Sequence, residues 1–198
     1  MLIHGKRRAN SISAQSDLEI NAMEINSKIV TVFGTSKAQS VDAVFQLAET
    51  LGRLLAENGF TIANGGYGGT MLATAKGATA AGGCVIGVTC TAFKRGRANE
   101  YVTEEISTNS LSERLAKLIE LGDAYLVLPG GTGTLLELAD VWEHKNKGFS
   151  NAAKPIILVG SFWKPLLAMM AAADVNSVGH VEYAETAENA IELLKTML

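Results

Sequence analysis

The chain has 198 residues, a length that suits one domain able to bury a hydrophobic core without metal or disulfide cross-links. A net charge of −3 argues against nonspecific binding to nucleic acid or to a membrane surface. No apolar run approaches the roughly 20 residues that a membrane-spanning helix needs. These properties predict neither a nucleic-acid partner nor a membrane partner.

The two cysteines, Cys84 and Cys90, flank a predicted strand. In an extended segment they would lie roughly 20 Å apart, which is too far for a disulfide. Their spacing also fits none of the usual zinc patterns, so we expect no metal site. We expect free, buried or half-buried thiols in a reducing compartment, and therefore a cytoplasmic protein.

The first residues show no clear hydrophobic period. Lys6, Arg7 and Arg8 are not followed by the apolar stretch of a secretory signal, and nearby acidic residues weaken the case for a targeting peptide. We predict a mobile tail over residues 1–27 and one folded domain over residues 28–198.

Strands and helices alternate through the first half of this domain. Apolar residues at helical spacing predict the first helix, and Asn58-Gly59 supplies the residues expected just after its end. The predicted elements are a strand over 29–33, a helix over 41–55, a strand over 61–63, a helix over 70–81 and a strand over 84–89.

The second half begins with an irregular segment over 90–109 that contains a short strand near 101–106. Ser110 and Glu113 match a capping box, which predicts that a helix starts there and runs to Leu121. The remaining predicted elements are a strand over 124–128, a helix after a glycine-rich turn, a strand over 155–160, a helix over 163–173, an extended piece over 181–183 and a last helix from 187.

This alternation predicts a single-domain, Rossmann-like α/β fold: a doubly wound parallel sheet with helices on both faces. In such sheets, ligands bind beyond the carboxyl ends of the strands. Loops that follow predicted strands could therefore line one crevice. These loops are 34–36, 64–70, 89–90 and 129–134.

Two of these loops are rich in glycine. The loop over 129–134 opens a helix, so its backbone N–H groups would face a ligand at a positive helix end. Neither loop matches a dinucleotide fingerprint or a P-loop, which favours a phosphate with a neighbouring sugar over a triphosphate with magnesium. The alternative is that the glycines only form tight turns. The predicted substrate-binding residues are Gly34, Thr35, Ser36, Gly65, Gly66, Gly68, Gly69, Thr70, Gly130, Gly131, Thr132, Gly133 and Thr134.

One stretch carries a specific family resemblance. Residues 129–137 read Pro-Gly-Gly-Thr-Gly-Thr-Leu-Leu-Glu and match in full the P-G-G-x-G-T-x-x-E motif of the LOG family. Members of this family are cytokinin riboside 5′-monophosphate phosphoribohydrolases, long mislabelled as lysine decarboxylases. Residues 64–71 resemble the family's first glycine loop, and residues 112–115 resemble its segment with an essential arginine.

The resemblance implies roles for individual residues. Glu137 would be the catalytic carboxylate and Arg114 its arginine partner. The implied reaction is hydrolysis of the N-glycosidic bond of a nucleoside 5′-monophosphate (AMP or an N6-modified AMP) to free base and ribose 5-phosphate. No cofactor is required. The resemblance also implies a homodimer or a higher homo-oligomer, with helices near Arg114 and Trp142 as its contact surface.

Other interpretations of these residues remain open at this stage. Residues 134–137 also fit a capping box, in which Glu137 would only satisfy backbone N–H groups. Active family members usually have a lysine after the arginine, where this chain has Leu115, and a methionine where it has Leu111. The superfamily also contains molybdenum-cofactor carriers and nucleotide sensors, so a non-catalytic binding protein is the second hypothesis. A decarboxylase is rejected, because no lysine stands in a pyridoxal-phosphate setting.

Overall fold

A seven-stranded parallel sheet organises the described residues, which are 27–94, 96–149 and 152–198 of the computed structural model. The strands are β1 (Ile29–Phe33), β2 (Thr61–Asn64), β3 (Val85–Cys90), β4 (Glu104–Thr108), β5 (Ala124–Val127), β6 (Ile156–Val159) and β7 (Glu182–Ala184). Their order across the sheet is β4-β3-β2-β1-β5-β6-β7, and every neighbouring pair is parallel.

Helices cover both faces of this sheet. They are α1 (Ala43–Glu57), α2 (Thr70–Ala80), α3 (Leu111–Leu121), α4 (Thr132–Asn146), α5 (Lys164–Ala173) and α6 (Ala187–Met197). One core cluster joins the sheet to α1, α2 and α6, and a second joins its other face to α3 and α4. Strands β1, β3, β5 and β6 are almost wholly buried because helices lie on both sides of them. The predicted doubly wound fold is confirmed.

The chain reverses its direction across the sheet between β1 and β5. From β1 it winds outward through β2 and β3 to β4, and then it returns so that β5 pairs with the other side of β1. The loops that follow β1 and β5 therefore diverge and leave a crevice at the carboxyl edge. At the opposite edge, the backbone N–H of Ile29 donates to the Asp123 carboxylate at 2.9 Å.

The structure corrects two details of the predicted elements. Helix α1 begins at Ala43, so Val41 precedes it and is 83% exposed. The segment after β3 forms a 3₁₀ turn over Thr91–Phe93, and β4 lies slightly later than the predicted strand.

Cys90 is buried as expected, but Cys84 is exposed, so the prediction of a buried or half-buried thiol is wrong for Cys84. The predicted mobile tail over 1–27 lies outside the described residues except for Ser27, whose hydroxyl is 2.7 Å from the Thr61 hydroxyl. None of the helices in the described part of the chain is long and apolar enough to span a membrane.

Candidate active site

A cavity of about 390 Å³ lies in the crevice between the loops that follow β1 and β5. One side is formed by the loop after β1 and the first two turns of α4, and the other by α3 together with aromatic and sulfur-containing side chains. Its lining residues are Gly34, Thr35, Ser36, Lys37, Tyr67, Met71, Phe93, Leu111, Arg114, Leu115, Gly131, Thr132, Gly133, Thr134, Leu136 and Glu137.

The start of α4 forms part of the wall of this cavity. Gly131 is the N-cap, and it has no side chain that could accept a hydrogen bond from the first N–H groups of the helix. A β-carbon on Gly131 or Gly133 would meet nothing within 4 Å, which leaves the approach to these N–H groups open. A β-carbon on Gly130 would instead overlap the buried Thr134 side chain, so Gly130 permits the turn. The open helix N-terminus suits a phosphate group.

Glu137 lies in the second turn of α4, and its side chain is only 15% exposed. The helix begins at Thr132, with Gly131 as its N-cap, so Thr134 and Glu137 are both inside the helix and do not form a capping box. The alternative in which Glu137 caps the helix is therefore wrong. The Glu137 carboxylate therefore lies at the edge of the cavity and does not cap the N-terminus of the helix.

Arg114 reaches the cavity from the first turns of α3, whose N-cap is Ser110. The Ser110 hydroxyl accepts from the Glu113 N–H at 3.1 Å, and the Glu113 carboxylate accepts from the Asn109 N–H at 2.7 Å. The Ser110 half of the predicted capping box is formed, whereas the Glu113 carboxylate accepts from the residue before the N-cap and not from the N–H of Ser110. The capping fixes the start of α3 and thereby the position from which Arg114 extends.

The Arg114 guanidinium is held on several sides. Its Nε donates to the carbonyl oxygen of Val88 at 2.7 Å, and its Nη1 lies 3.8 Å from Oε1 of Glu137. The ring centroids of Tyr67 and Phe93 lie 5.7 and 5.6 Å from the central carbon (Cζ) of this guanidinium. A β-carbon on Gly65 would overlap its Nη2, so only glycine leaves room for the guanidinium there.

Burial and charge act in opposite directions on Glu137. Burial raises the pKa of its carboxyl from 4.5 to about 7, although the positive charge of Arg114 lowers it. The carboxyl therefore exchanges a proton near neutral pH. A carboxyl with such a pKa in a cleft beside an arginine is typical of a catalytic site.

The cavity brings together nine of the predicted site residues. They are Gly34, Thr35, Ser36, Arg114, Gly131, Thr132, Gly133, Thr134 and Glu137. The other predicted residues are not among the described residues that line it, and their role in substrate binding stays a prediction. They are Gly65, Gly66, Gly68, Gly69, Thr70 and Gly130.

The first glycine loop supports the cavity from behind. Both the N–H and the hydroxyl of Thr70 donate to the carbonyl oxygen of Thr35, at 2.9 and 3.1 Å. Gly69 has a φ of +67°, and a β-carbon there would overlap the same carbonyl. The loop thus holds residues 34–36 in place, while Gly65 makes room for Arg114.

Sequence reasoning missed several lining residues. Lys37 directly follows the predicted loop 34–36 and could have been found by extending that loop by one residue. Phe93 lies in the segment predicted to be irregular, which gave no signal for it. The exposed cations Lys94 and Arg97 are not among the lining residues, and Arg95 lies outside the described ones. The other missed residues are Tyr67, Met71, Leu111, Leu115 and Leu136.

Fold and cavity together define a Rossmann-like α/β protein whose crevice joins an open helix N-terminus to a buried carboxylate. Comparisons with known proteins agree with this fold. A family described as "Possible lysine decarboxylase" matches residues 71–197, more than half of the chain. The cytokinin riboside 5′-monophosphate phosphoribohydrolase of Rhodococcoides fascians is 34% identical over 153 residues, which cover 75% of this chain and 76% of the relative.

Two further relatives extend the comparison. The cytokinin riboside 5′-monophosphate phosphoribohydrolase LOG of Oryza sativa subsp. japonica is 31% identical over 136 residues, 68% of this chain and 54% of the relative. The molybdenum cofactor binding protein of Rippkaea orientalis is a solved structure with a TM-score of 0.72 and 27% identity, covering 87% of this chain and 98% of its own. The chain belongs to the possible lysine decarboxylase family, and the predicted resemblance to LOG proteins is confirmed.

Proposed function

We propose that this protein is a hydrolase that cleaves the N-glycosidic bond of a nucleoside 5′-monophosphate, either AMP or an N6-modified AMP. The products are the free base and ribose 5-phosphate. The observation that carries the proposal is the buried Glu137 carboxyl, 3.8 Å from Arg114 and about one helical turn beyond an open helix N-terminus. The phosphoribohydrolase names of the relatives from Rhodococcoides fascians and Oryza sativa support it.

The phosphate and the scissile bond have separate places in this proposal. The 5′-phosphate binds the N–H groups at the start of α4 and the polar groups of Thr35 and Ser36. The ribose then extends toward Glu137, which lies farther along the same helix. Binding of the remote phosphate holds the anomeric carbon beside the carboxylate, so binding energy supports the chemical step.

The chemistry at the anomeric carbon follows from the carboxylate. Cleavage of the glycosidic bond gives the ribose an oxocarbenium-like charge, which ionised Glu137 stabilises. Water supplies the hydroxyl that joins the anomeric carbon, and a proton accompanies the leaving base. Arg114 favours the ionised form of Glu137 because its positive charge lowers the pKa of that carboxyl.

The base is accommodated by the apolar part of the cavity. Side chains of Met71, Phe93, Leu111, Leu115 and Leu136 line it, and none of them carries an ionisable group. Such a wall suits the faces of a planar base and an apolar substituent on its N6 atom. Leu115, where active relatives usually have a lysine, adds to this apolar character.

A molybdenum-cofactor carrier is the second candidate, because the structure from Rippkaea orientalis covers 87% of this chain with a TM-score of 0.72. A carrier of an anionic cofactor gains nothing from a second negative charge in its site. The buried carboxyl of Glu137 therefore favours the hydrolase. Decarboxylation stays rejected, because the one lysine among the described lining residues, Lys37, is an exposed side chain unsuited to a Schiff base.

The same proposal includes a homodimer in the cytoplasm. Leu135 on α4 is 39% exposed and is not among the described residues that line the cavity, and a second copy would cover it. Trp142 is buried in its own chain, where its indole N–H donates to the Ser177 carbonyl, so it supports this face from within. Sedimentation showing only monomer at micromolar concentration would exclude the dimer.

The test of hydrolysis is chromatography of the protein incubated with AMP and, separately, with N6-isopentenyl AMP. We expect wild type to release free base and ribose 5-phosphate, and Glu137→Gln and Arg114→Ala to lose this activity. Glu143→Gln is the matched control, because Glu143 lies on the same helix but is exposed and pairs with Lys147 at 3.2 Å. No release by wild type from either nucleotide, together with tight binding of molybdenum cofactor, would favour the carrier.

A further inference from the structure

Two cations, Lys37 and Arg114, are among the described residues that line the cavity, and their surroundings differ. Arg114 is buried, and it is already engaged by the Val88 carbonyl, by Glu137 and by two aromatic rings. Its Nη2 fills the space above Gly65 and lies 3.9 Å from the Met71 sulfur. Moving this guanidinium to meet a ligand would break contacts on every side of it, so it is fixed beside the carboxylate.

Lys37 is placed differently. It follows Ser36 in the loop after β1, lines the same cavity and is exposed. Its backbone N–H donates to the Thr35 hydroxyl at 3.2 Å, which anchors the backbone from which the side chain extends. Its ammonium group makes no ion pair within residues 27–94, 96–149 and 152–198. Lys37 is therefore available to a ligand.

The charges of the proposed ligand require such a group. A phosphate monoester carries close to two negative charges at neutral pH. The N-terminus of α4 offers the equivalent of about half a positive charge, and ionised Glu137 adds a negative charge nearby. Since Arg114 is committed to that carboxylate, a further full cation is needed to balance the phosphate.

We propose that Lys37 is the cation that binds the 5′-phosphate, whereas Arg114 serves Glu137 and leaves phosphate affinity unchanged. This inference rests on the ligand class of the proposed function but does not require hydrolysis. A lysine suits the task because its ammonium is a compact charge on a flexible stem, a form in which lysine commonly binds phosphate.

The test is calorimetric titration of the full chain with ribose 5-phosphate, and with adenosine as a ligand without phosphate. We expect Lys37→Gln to weaken binding of ribose 5-phosphate about tenfold and to leave adenosine binding unchanged. Arg97→Gln is the matched control, because it removes one exposed positive charge that is not among the described lining residues. It should bind ribose 5-phosphate as wild type does.

Arg114→Lys completes the experiment. It should bind ribose 5-phosphate within twofold of wild type while its hydrolysis of AMP falls, whereas Lys37→Gln should raise KM for AMP more than it lowers kcat. Wild-type affinity in Lys37→Gln would overturn the proposal, as would equal losses in Lys37→Gln and Arg97→Gln or a larger loss in Arg114→Lys.

The inference and the proposed function can fail separately. If wild type binds ribose 5-phosphate in a Lys37-dependent manner but hydrolyses no nucleotide, the hydrolase is refuted and the role of Lys37 stands. If wild type binds neither ribose 5-phosphate nor AMP, the role of Lys37 is overturned as well.

Discussion

Replacing the candidate catalytic carboxylate should make the fold more stable at alkaline pH. Glu137→Gln keeps the shape of the side chain and fixes it in an uncharged form, while Arg114 and its contacts remain. In the wild-type protein the same site holds a carboxyl whose pKa burial raises from 4.5 to about 7, against the lowering effect of Arg114. Above that pH the folded chain has to hold a buried negative charge that the environment disfavours.

The size and sign of the effect follow from the two pKa values. A folded-state pKa of about 7 against 4.5 in the unfolded chain corresponds to about 3 kcal/mol between the protonation states. Because the folded-state value is the higher one, this stabilisation is complete below about pH 4.5 and is lost as the pH rises to about 7. At pH 8 the glutamine variant should therefore exceed wild type by about 3 kcal/mol, and at pH 5 by about 1 kcal/mol or less.

Urea denaturation at pH 8 and pH 5 measures this difference directly. In thermal unfolding, a gain of this size corresponds to roughly 6–12 °C in Tm for a chain of this length. Glu143→Gln on the same helix is the control; its exposed carboxylate has a lowered pKa through Asn146 and Lys147, so it should show no gain at pH 8. The reasoning fails if Glu137→Gln is no more stable than wild type at pH 8, or if its gain is the same at both pH values.

Three further outcomes are expected. Hydrolysis by wild type should rise through about pH 7 as Glu137 ionises, and Arg114→Ala should shift the midpoint of its residual activity to higher pH, as pH–rate profiles would show. Gly65→Ala should displace the Arg114 guanidinium and thereby lower kcat/KM for hydrolysis about a hundredfold. Gly133→Ala has open space for its methyl group, so in urea denaturation it should unfold at the same or a higher urea concentration than wild type. Ser110→Ala should cost about 1 kcal/mol of unfolding free energy, because it removes the cap of α3.

Each of these expectations has a result that contradicts it. An unchanged pH midpoint in Arg114→Ala would separate that arginine from the ionisation of the carboxylate. Full activity in Gly65→Ala would mean that the guanidinium tolerates displacement. Unchanged stability in Ser110→Ala would show that other contacts hold the start of the helix.

Much of the fold was predictable because its signals are local. Alternating buried strands and amphipathic helices predicted the doubly wound sheet, and the motif over 129–137 predicted the strand, turn and helix that carry Glu137. The start of α1 was misjudged because Val41 fits the apolar spacing. Its neighbour Asp42 is the N-cap, a position that aspartate favours, although its side chain accepts from the Gln39 N–H at 2.8 Å and not from an N–H of the helix.

The role of an individual glycine could not be predicted from the sequence. Gly131 faces an open cavity and Gly65 faces a guanidinium, yet both stand in glycine-rich loops and look alike as sequence. Phe93 lies in the cavity wall near the Tyr67 ring, with 6.1 Å between the ring centroids, and residues 98–105 farther along the chain are held by distant partners. Asn99 donates to the Gly66 carbonyl, and the Glu105 carboxylate accepts from the Thr89 hydroxyl and the Ala98 N–H. Such long-range hydrogen bonds produce no periodic pattern in the sequence, so they cannot be predicted from it.

The return of the chain from β4 to the other side of β1 also determines at what stage of folding the candidate site forms. The hydrogen bond between Ile29 and Asp123 spans 94 positions, and the strand pairing beside it closes the same long loop. During synthesis, β1 to β4 can emerge and pair before the ribosome has released the segment that bears Glu137. The nascent chain therefore lacks the cavity that holds Arg114 and Glu137 together until this late closure.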